Sequence, residues 1–519
     1  MTAGTVADAS KPHGKHRLST VVPLPPDDLE KISYVDRHRL YLILVIAIGA
    51  ASAIGSQAAM EVRYAIWPLV PYTAFSVFYV ALSVAANFTG HNFDYAAHKA
   101  RIEAWRPKSY PTVDIHLPIC GEPINVLRNT WLHVFELVQA YPGWARVYVL
   151  DDGADAQARE LATSFGFSYI VRENRPWMKK AGNLRNAFAQ TGGEFIVILD
   201  ADFAPRPDLL AETLPYFEDP QIAIVQTPQF FHTDRRHTWV ERAAGAVQEI
   251  FYRSMQVSRD DHGASICVGT CAVYRRQALN ANGGTTAIEH SEDVHTGFDL
   301  RGRGWNLRYI PVPLAAGVCP DNPESFLTQQ YRWCAGSMSL LTSRKFWTAR
   351  MPWIARTCYL SGFCYYMYTA VAMLVSPLIP SLLLILIPGH IQPYDYLSLL
   401  PAIVNGMVLY PLWHRCRYGP STWPLAMVRG WAHALALWDT VTGNHMGWQA
   451  TGGKGRKART NRFWVGVIVW NGGTAIAWLG LAAWRIAQNG PGRFWIITAF
   501  GVLYSVIVLW ILLTPKDTA

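Results

Sequence analysis

Residues 195–202 have the sequence FIVILDAD, in which five apolar residues precede two carboxylates that one alanine separates. A short, β-branched apolar run followed by loop and helix signals is typical of a buried strand in a parallel sheet. Residues 113–118, 146–150 and 222–226 have the same pattern. Because ligands of such sheets bind beyond the carboxyl ends of the strands, the aspartates lie where a site is expected. The stretch therefore predicts an α/β domain with an acidic binding site.

Apolar spans flank this domain on both sides. Residues 40–58 and 65–86 are nearly uncharged and have about the 20 residues that a bilayer requires. Four more spans follow the domain, at 359–388, 396–413, 463–484 and 494–513. The count of six treats 359–388, which Pro377 and Pro380 interrupt, as one bent crossing. Residues 421–441 alternate at helical spacing and predict an interfacial helix.

The composition supports a membrane protein. The chain of 519 residues is 51% hydrophobic and 16% charged, whereas soluble domains have about 25% charged residues. An aromatic-rich core is the alternative. The formal net charge of +9 does not indicate nucleic acid, because the basic residues cluster beside apolar spans, as cytosolic loops do. We predict an inner-membrane, multi-pass protein with its catalytic domain and both termini in the cytosol.

The predicted domain organisation has four parts. Residues 1–36 are polar and proline-rich, and we expect a disordered cytosolic tail without a cleavable signal peptide. Residues 37–88 form a transmembrane hairpin, 89–345 the α/β domain and 346–519 a second membrane block. The eight cysteines have no spacing that indicates a zinc site or a disulfide framework. Asn405 and Asn471 in the second block either line a path for the product or bond helices together.

Asp200 and Asp202 are candidate metal ligands. Carboxylates hold divalent cations, and such a cation neutralises the negative charge that develops on a phosphate group during group transfer. A D-x-D sequence alone is a weak signal, but its position after a strand favours metal binding. Asp151, Asp152 and Gly153 follow another strand, where carboxylates accept hydrogen bonds from a ribose or base. A simple turn is the alternative there.

Two further clusters carry candidate chemistry. In Ser291-Glu292-Asp293, a carboxylate can take the proton of an acceptor hydroxyl, although a Glu-Asp pair is more often a solvated helix start. Gln329, Arg332 and Trp333 precede the second membrane block. Arginine pairs bidentately with phosphate and tryptophan offers a flat face to a pyranose ring. The alternative for this second cluster is an interfacial anchor.

Taken in order, these motifs resemble the processive membrane glycosyltransferases of family 2, which include bacterial cellulose synthase, chitin synthase and hyaluronan synthase. The resemblance runs from Leu40 to the last span. Closer similarity to cellulose synthase comes from KAGN at 180–183, QTPQFF at 226–231 and GTCAVYRR at 269–276. It implies a cytosolic GT-A domain with a mostly parallel sheet, inserted between transmembrane helices.

The resemblance also implies roles for individual residues. Nucleotide binding would fall to Glu122, Asp151, Asp152, Lys180, Gln329 and Arg332, and Mg²⁺ or Mn²⁺ binding to Asp200 and Asp202. Asp293 would be the general base and Trp333 the platform for the acceptor. Residues 446–458 resemble the gating loop of cellulose synthase, with Trp448, Thr451 and Lys454 as the matching positions.

Some positions depart from the family pattern. Ser291 stands where threonine is usual, and Cys120 and Gly121 precede Glu122 where cellulose synthase has Tyr-Asn. The gating-type loop has Trp for Phe, Ala for Val and one extra residue. About six residues follow the last span, so we expect no PilZ domain within this chain.

The leading hypothesis is a processive, inverting synthase that polymerises a UDP-sugar, most simply UDP-glucose, into a cellulose-like β-1,4-glucan and translocates it across the inner membrane. Its partners would be the donor, the growing polysaccharide, the bilayer and accessory export proteins. Related products are mixed-linkage glucan, curdlan, mannan and chitin, because epimer selection depends on a hydrogen bond or two. The alternatives are a non-processive lipid glycosyltransferase and an inactive transporter or scaffold.

Overall fold

The computed structural model describes residues 22–36, 38–88, 90–444 and 454–514, with the backbone alone for 454–458. Six helices in this part of the chain are long and apolar enough to cross a membrane. They are Arg39–Tyr64, Trp67–Phe88, Trp353–Val375, Pro393–Trp413, Arg459–Asn489 and Trp495–Leu513. Two precede the α/β domain and four follow it, which confirms the predicted arrangement of apolar helices.

The helices fall into three groups along the described residues. Before the domain lie α1 (Asp28–Lys31), α2 (Arg39–Tyr64) and α3 (Val70–Phe88). The domain contains α4 (Tyr95–Ala104), α5 (Ile124–Ala140), α6 (Ala156–Ser164), α7 (Lys179–Gln190), α8 (Leu209–Thr213), α9 (Trp239–Ile250), α10 (Gln256–Asp261), α11 (Arg276–Asn280), α12 (Glu292–Gly302), α13 (Pro323–Leu341) and α14 (Arg344–Thr348). The second membrane block contains α15 (Trp353–Val375), α16 (Leu378–Leu386), α17 (Leu400–Val404), α18 (Tyr410–Trp413), α19 (Thr422–Thr442), α20 (Lys454–Gly466), α21 (Gly473–Asn489) and α22 (Trp495–Leu513).

The domain is built on a seven-stranded sheet. Its strands are β1 (Val113–Ile119), β2 (Ala145–Asp151), β3 (Ser168–Ile170), β4 (Phe195–Ile198), β6 (Ile222–Gln226), β7 (Ala272–Arg275) and β8 (Asn306–Tyr309); β5 (Ala204–Pro205) and β9 (Ala315–Ala316) form a separate pair. The order across the large sheet is β3-β2-β1-β4-β7-β6-β8. Within it, β7 runs antiparallel to β4 and β6, and the other pairs are parallel. The four strands predicted from sequence are all present.

The sheet is buried on both faces, which explains why its strands are apolar throughout. Val197 faces one cluster together with Ile115 of β1 and Trp131 of α5. Ile196 and Ile198 face another cluster that α7 covers with Leu184 and Ala187. Successive residues of a strand point to opposite faces, so β4 contributes side chains to both clusters. Tight burial on both sides fixes the register of β4 and therefore the place of Asp200 and Asp202.

The prediction of a disordered tail is wrong for residues 22–36, which pack on the domain. Asn129 donates to the carbonyl oxygen of Pro23 at 2.7 Å, and Lys31 forms ion pairs with Asp208 at 2.7 Å and Glu212 at 2.5 Å. Tyr34 is buried against Phe230. The Lys31 ion pairs and the burial of the Tyr34 ring offset the conformational entropy that is lost when this polar, proline-rich segment becomes ordered. Residues 1–21 lie outside the described part of the chain.

The second membrane block differs from expectation at one break. The stretch predicted as a single bent crossing forms α15 and the separate short helix α16, with Pro377 between them. Proline cannot donate to the preceding turn, so the helix ends there. Asn471 receives a hydrogen bond from Trp431 at 2.7 Å and donates one to Tyr504 at 2.9 Å. Its side chain therefore bonds helices together, whereas Asn405 packs beside Gly49 of α2.

Helix α19 corresponds to the predicted interfacial helix at 421–441. It is absent from the six candidate spans, and it buries Leu425, Val428, Ala432 and Ala436. It packs against α13 and α15. The helix thus joins the α/β domain to the membrane block, and its position in the interface stays a prediction.

Candidate active site

The carboxyl ends of three neighbouring strands bring the acidic motifs to one edge of the sheet. Glu122 follows β1, Asp152 directly follows β2, and Asp200 and Asp202 follow β4. The antiparallel strand β7 begins at this edge, so the loop at 269–271 lies there as well. These residues share one cleft because the parallel strands all end on the same side, and the antiparallel strand β7 begins there.

Asp200 is the centre of a short hydrogen-bond network. Its backbone N–H donates to the hydroxyl of Thr270 at 2.9 Å. Lys180, near the start of α7, donates through Nζ to Asp200 Oδ1 at 2.5 Å and to the carbonyl oxygen of Gly269 at 2.9 Å. Burial alone would lower the pKa of Lys180, but the charges of Asp200, Glu292 and Asp293 raise it above its ordinary value. Lys180 is thus a fixed cation in the acidic cleft.

Asp202 lies deep in the same cleft and keeps some accessible surface. Burial, reinforced by the charge of Asp200, raises the pKa of Asp202 to about 7. Burial likewise raises the pKa of Glu122, with the charges of Asp200 and Asp151 acting in the same direction. Glu122 accepts a hydrogen bond from the N–H of Cys120 at 2.6 Å. Burial and the neighbouring carboxylates thus both favour the neutral forms of Asp202 and Glu122.

The Ser291-Glu292-Asp293 motif begins α12 beside this network. Ser291 has a left-handed backbone with φ of 54° and precedes the first turn. Asp293 packs directly on Gly269, where an added Cβ would lie 2.8 Å from Oδ2. Burial and the neighbouring Glu292 raise the pKa of Asp293 to about 7. Because Lys180 bonds to the carbonyl of Gly269, Asp293 lies next to the Lys180–Asp200 pair.

Helix α13 brings the Gln-Arg-Trp cluster to the same place. Burial lowers the pKa of Arg332, while the charges of Asp200, Glu292 and Asp202 oppose that shift. Gly336 of α13 touches Ser291, since an added Cβ would lie 1.8 Å from its hydroxyl oxygen. Residues three, four and seven apart share one helix face. Trp333 and Gln329 are therefore on the face of α13 that meets the acidic motif.

Asp151 and Asp152 are satisfied by the protein itself. Asp151 accepts bonds from the N–H of Gly153 at 2.6 Å and of Asp155 at 2.8 Å, and from the hydroxyl of Tyr169 at 2.5 Å. Asp152 pairs with Arg172 through two bonds of 2.7 Å. These two aspartates lie at the predicted edge, and the turn considered for the Asp-Asp-Gly sequence is present.

The residues at the end of β4 fit a divalent cation. Asp200 and Asp202 present carboxylate oxygens, the ligands that Mg²⁺ and Mn²⁺ prefer. No group of three His, Cys, Asp or Glu side chains within the described residues forms a complete metal site. Mg²⁺ commonly takes one or two carboxylates and completes its shell with water and substrate phosphates. This pair suits a cation that arrives with a nucleotide diphosphate.

One predicted element cannot be placed, and two contacts were missed. Residues 445–453, with Trp448 and Thr451, and the side chain of Lys454 lie outside the described part. Arg172 was not among the predicted site residues, although its position two residues after β3 was a usable signal. Asp439 was not predicted either; it receives a hydrogen bond from Tyr331 at 2.7 Å and pairs with Arg462 at 2.9 Å. Sequence distance hid that link, because α13, α19 and α20 are joined only in the fold.

Comparison with known proteins finds a family match over part of the chain. Residues 195–409 match the family described as "Glycosyl transferase family group 2". The cellulose synthase catalytic subunit [UDP-forming] of Pseudomonas fluorescens (strain SBW25) is 34% identical over 234 residues, which cover 44% of this chain and 31% of that protein. Cellulose synthase 1 of Komagataeibacter xylinus is 32% identical over 238 residues, covering 45% of this chain and 15% of that protein. The family match and the mostly parallel sheet confirm the predicted GT-A-like α/β fold.

Among solved structures, a mannosyltransferase from Pyrobaculum calidifontis in complex with GDP-Man and Mn²⁺ superposes with a TM-score of 0.48 and 15% identity. The superposition covers 70% of this chain and 99% of that one.

Proposed function

We propose that this chain, which carries a family 2 glycosyltransferase domain, polymerises a UDP-sugar into a β-glycan and passes the product through its membrane helices. The observation that carries the proposal is the meeting of Asp200, Lys180, Asp293 and Arg332 around one cleft. Cations suited to a diphosphate and a carboxylate suited to a proton thus lie side by side. Together they supply what glycosyl transfer to a hydroxyl group requires.

The reaction would be a single in-line displacement. The acceptor oxygen forms a bond to the anomeric carbon while the bond from that carbon to the diphosphate oxygen breaks. Asp293 takes the acceptor proton, and a pKa of about 7 suits a base that works near neutral pH. Lys180 and Arg332 stabilise the charge that develops on the departing UDP. One displacement on an α-linked donor inverts the anomeric centre and gives a β-glycoside.

A divalent cation would be held by Asp200 and Asp202 at the end of β4. When bound, it neutralises the diphosphate and helps UDP to leave. The cation would also favour the charged form of Asp202, whose pKa is raised by burial and by the charge of Asp200. We propose Mg²⁺ or Mn²⁺, since both prefer carboxylate and phosphate oxygens.

The contact of α13 with the membrane block supports polymerisation over single transfer. Trp333 is on the face of α13 that meets the acidic motif, where it would stack under the acceptor sugar. The same helix packs on α19, which in turn packs on the apolar helix α15. This packing would set the acceptor site beside the membrane helices. A lipid glycosyltransferase needs neither a platform nor a channel.

Similarity to two cellulose synthases makes UDP-glucose and a β-1,4-glucan the first choice of donor and product. Mixed-linkage glucan, curdlan, mannan and chitin are the other products that this chemistry allows. We place the enzyme in the inner membrane with its domain and termini cytosolic, because basic residues cluster in the loops on that side. Accessory export proteins would take the polymer onward.

The test is linkage analysis of the product that the purified chain makes from a panel of labelled UDP- and GDP-sugars with Mg²⁺ or Mn²⁺. We expect an insoluble or high-molecular-weight glycan from one donor, with 1,4-linked glucose if that donor is UDP-glucose. The Asp293→Asn variant serves as the matched blank. A product that is entirely soluble in chloroform would contradict polymerisation, and UDP release without any glycan would contradict transfer to a sugar.

A further inference from the structure

Arg172 is a buried cation outside the sequence motifs, and all of its donors are engaged. Its side chain is fully buried and pairs with Asp152 through Nε and Nη2, each at 2.7 Å. The remaining N–H groups reach Asn174 Oδ1 at 3.2 Å and the carbonyl oxygens of Trp177 at 2.6 Å and Lys179 at 2.9 Å. An arginine has five N–H donors in a fixed fork. All five bond to groups on two separate segments.

The segment that Arg172 holds is short and unusually constrained. Met178 and Lys179 both have left-handed backbones, with φ of 48° and 46°. Such conformations are costly for residues with a side chain and persist where surrounding contacts fix them. Gly182 leaves no room for a Cβ, which would lie 2.1 Å from the carbonyl oxygen of Trp177 and 2.5 Å from Arg172 Nη1. Arg172 supplies the contacts that hold this entry to α7.

Lys180 follows directly. It donates to Asp200 and to the carbonyl of Gly269, the glycine on which Asp293 packs. Asp152, at the other side of Arg172, follows β2. One buried guanidinium therefore connects the carboxyl end of β2 to the residue that places a cation at the carboxyl end of β4.

We infer that Arg172 is a positioning residue of the donor site. Anchored by the carboxylate of Asp152 at the end of β2, it holds Lys180 in place at the end of β4. The inference rests on the proposed function, because it takes Lys180 as a ligand of the UDP diphosphate.

A purely structural arginine would stabilise the domain without affecting what Lys180 contributes. The double-mutant cycle between Arg172 and Lys180 separates these roles, because it measures coupling and not loss of stability. The measurement is UDP affinity by isothermal titration of the full chain in detergent with Mn²⁺. The variants are Lys180→Ala, Arg172→Lys and their combination. Arg185→Lys is the matched control. Arg185 is on α7, as Lys180 is, but it donates to the carbonyl oxygens of Asn282 and Thr285, both at 2.7 Å.

We expect Arg172→Lys to weaken UDP binding by about tenfold to a hundredfold, the range typical of outer partners that orient a site. Lys180→Ala should then cost much less in the Arg172→Lys protein than in the wild type. In the Arg185→Lys protein it should keep its full cost. If Lys180→Ala costs the same factor in all three backgrounds, the inference is overturned.

Folding is checked by thermal unfolding of each variant. If Arg172→Lys does not fold, the pair Asp152→Asn with Arg172→Gln replaces it, because removing both charges leaves no buried ion unpaired. In that double variant too, Lys180→Ala should cost much less UDP affinity than in the wild type. A wild-type chain that folds but does not bind UDP would overturn the proposed function and the inference together. Normal wild-type binding with additive losses would overturn the inference alone.

Discussion

The two acidic groups of the cleft are built in opposite ways. At the end of β2, Asp151 accepts three hydrogen bonds from the protein and Asp152 has a bidentate arginine. At the end of β4 and the start of α12, burial and neighbouring carboxylates raise the pKa of Asp202 and Asp293 to about 7. The first group is complete without a ligand. The second holds charge that a cation and a transferred proton would relieve, so its residues are the better candidates for chemistry.

The largest expected effect on activity is at Asp293. Asp293→Asn removes the proposed base, so incorporation of labelled sugar should fall by about 10²–10⁴-fold. The free energy of unfolding should not fall, because the change removes a charge that faces Glu292. Asp299→Asn is the control, since Asp299 is on the same helix and pairs with Lys345 at 2.8 Å. Unchanged product yield from Asp293→Asn would show that another group accepts the proton.

The second largest effect is expected at Asp202. Asp202→Ala should abolish metal-dependent turnover, since a bound cation contributes several kcal/mol to stabilising the transition state. EDTA should do the same to the wild type, and added Mg²⁺ or Mn²⁺ should restore the wild type alone. Turnover that persists in EDTA would show that Lys180 and Arg332 suffice for the diphosphate.

The pH dependence of activity and of stability tests the raised pKa of Asp293. With the pKa of Asp293 at about 7, kcat/KM should fall about tenfold for each pH unit below that value, because the protonated acid is not a base. The native pKa lies above the ordinary 3.8, so the folded protein binds more protons between about pH 4 and 7. The free energy of unfolding should therefore decrease as the pH rises through that window. A pH-independent rate between pH 5 and 7 would contradict the raised pKa.

The smallest effect on catalysis is expected at the end of β2, where the protein itself supplies the hydrogen bonds of Asp151. In Asp151→Asn the new NH₂ group faces N–H donors, so about 1–3 kcal/mol of stability should be lost. UDP affinity per folded molecule should change less than tenfold. Thermal unfolding and titration with UDP measure the two quantities, with Glu160→Gln on the exposed face of α6 as the control. A stable variant without UDP affinity would make Asp151 a direct ligand.

The order of the elements follows from local patterns in the sequence. Apolar runs of bilayer length and buried strands are local properties of hydrophobicity and β-branching, so the six helices and the strands β1, β2, β4 and β6 could be predicted. The carboxylates Asp151, Asp152, Asp200 and Asp202 could be placed at one edge because parallel strands end on the same side. The order of residues 22–36 could not be predicted, since it depends on contacts with residues more than 100 positions away.

Which of these carboxylates have partners depends on contacts that form only in the folded protein. Arg172 beside Asp152, Gly269 beneath Asp293 and Gly336 against Ser291 are contacts between segments that no local pattern links. The pKa of a carboxylate depends on the balance of burial, charges and donors around it. That balance is a sum over neighbours in space. The same residue type, an aspartate after a strand, is therefore fully paired at β2 and has a raised pKa at β4.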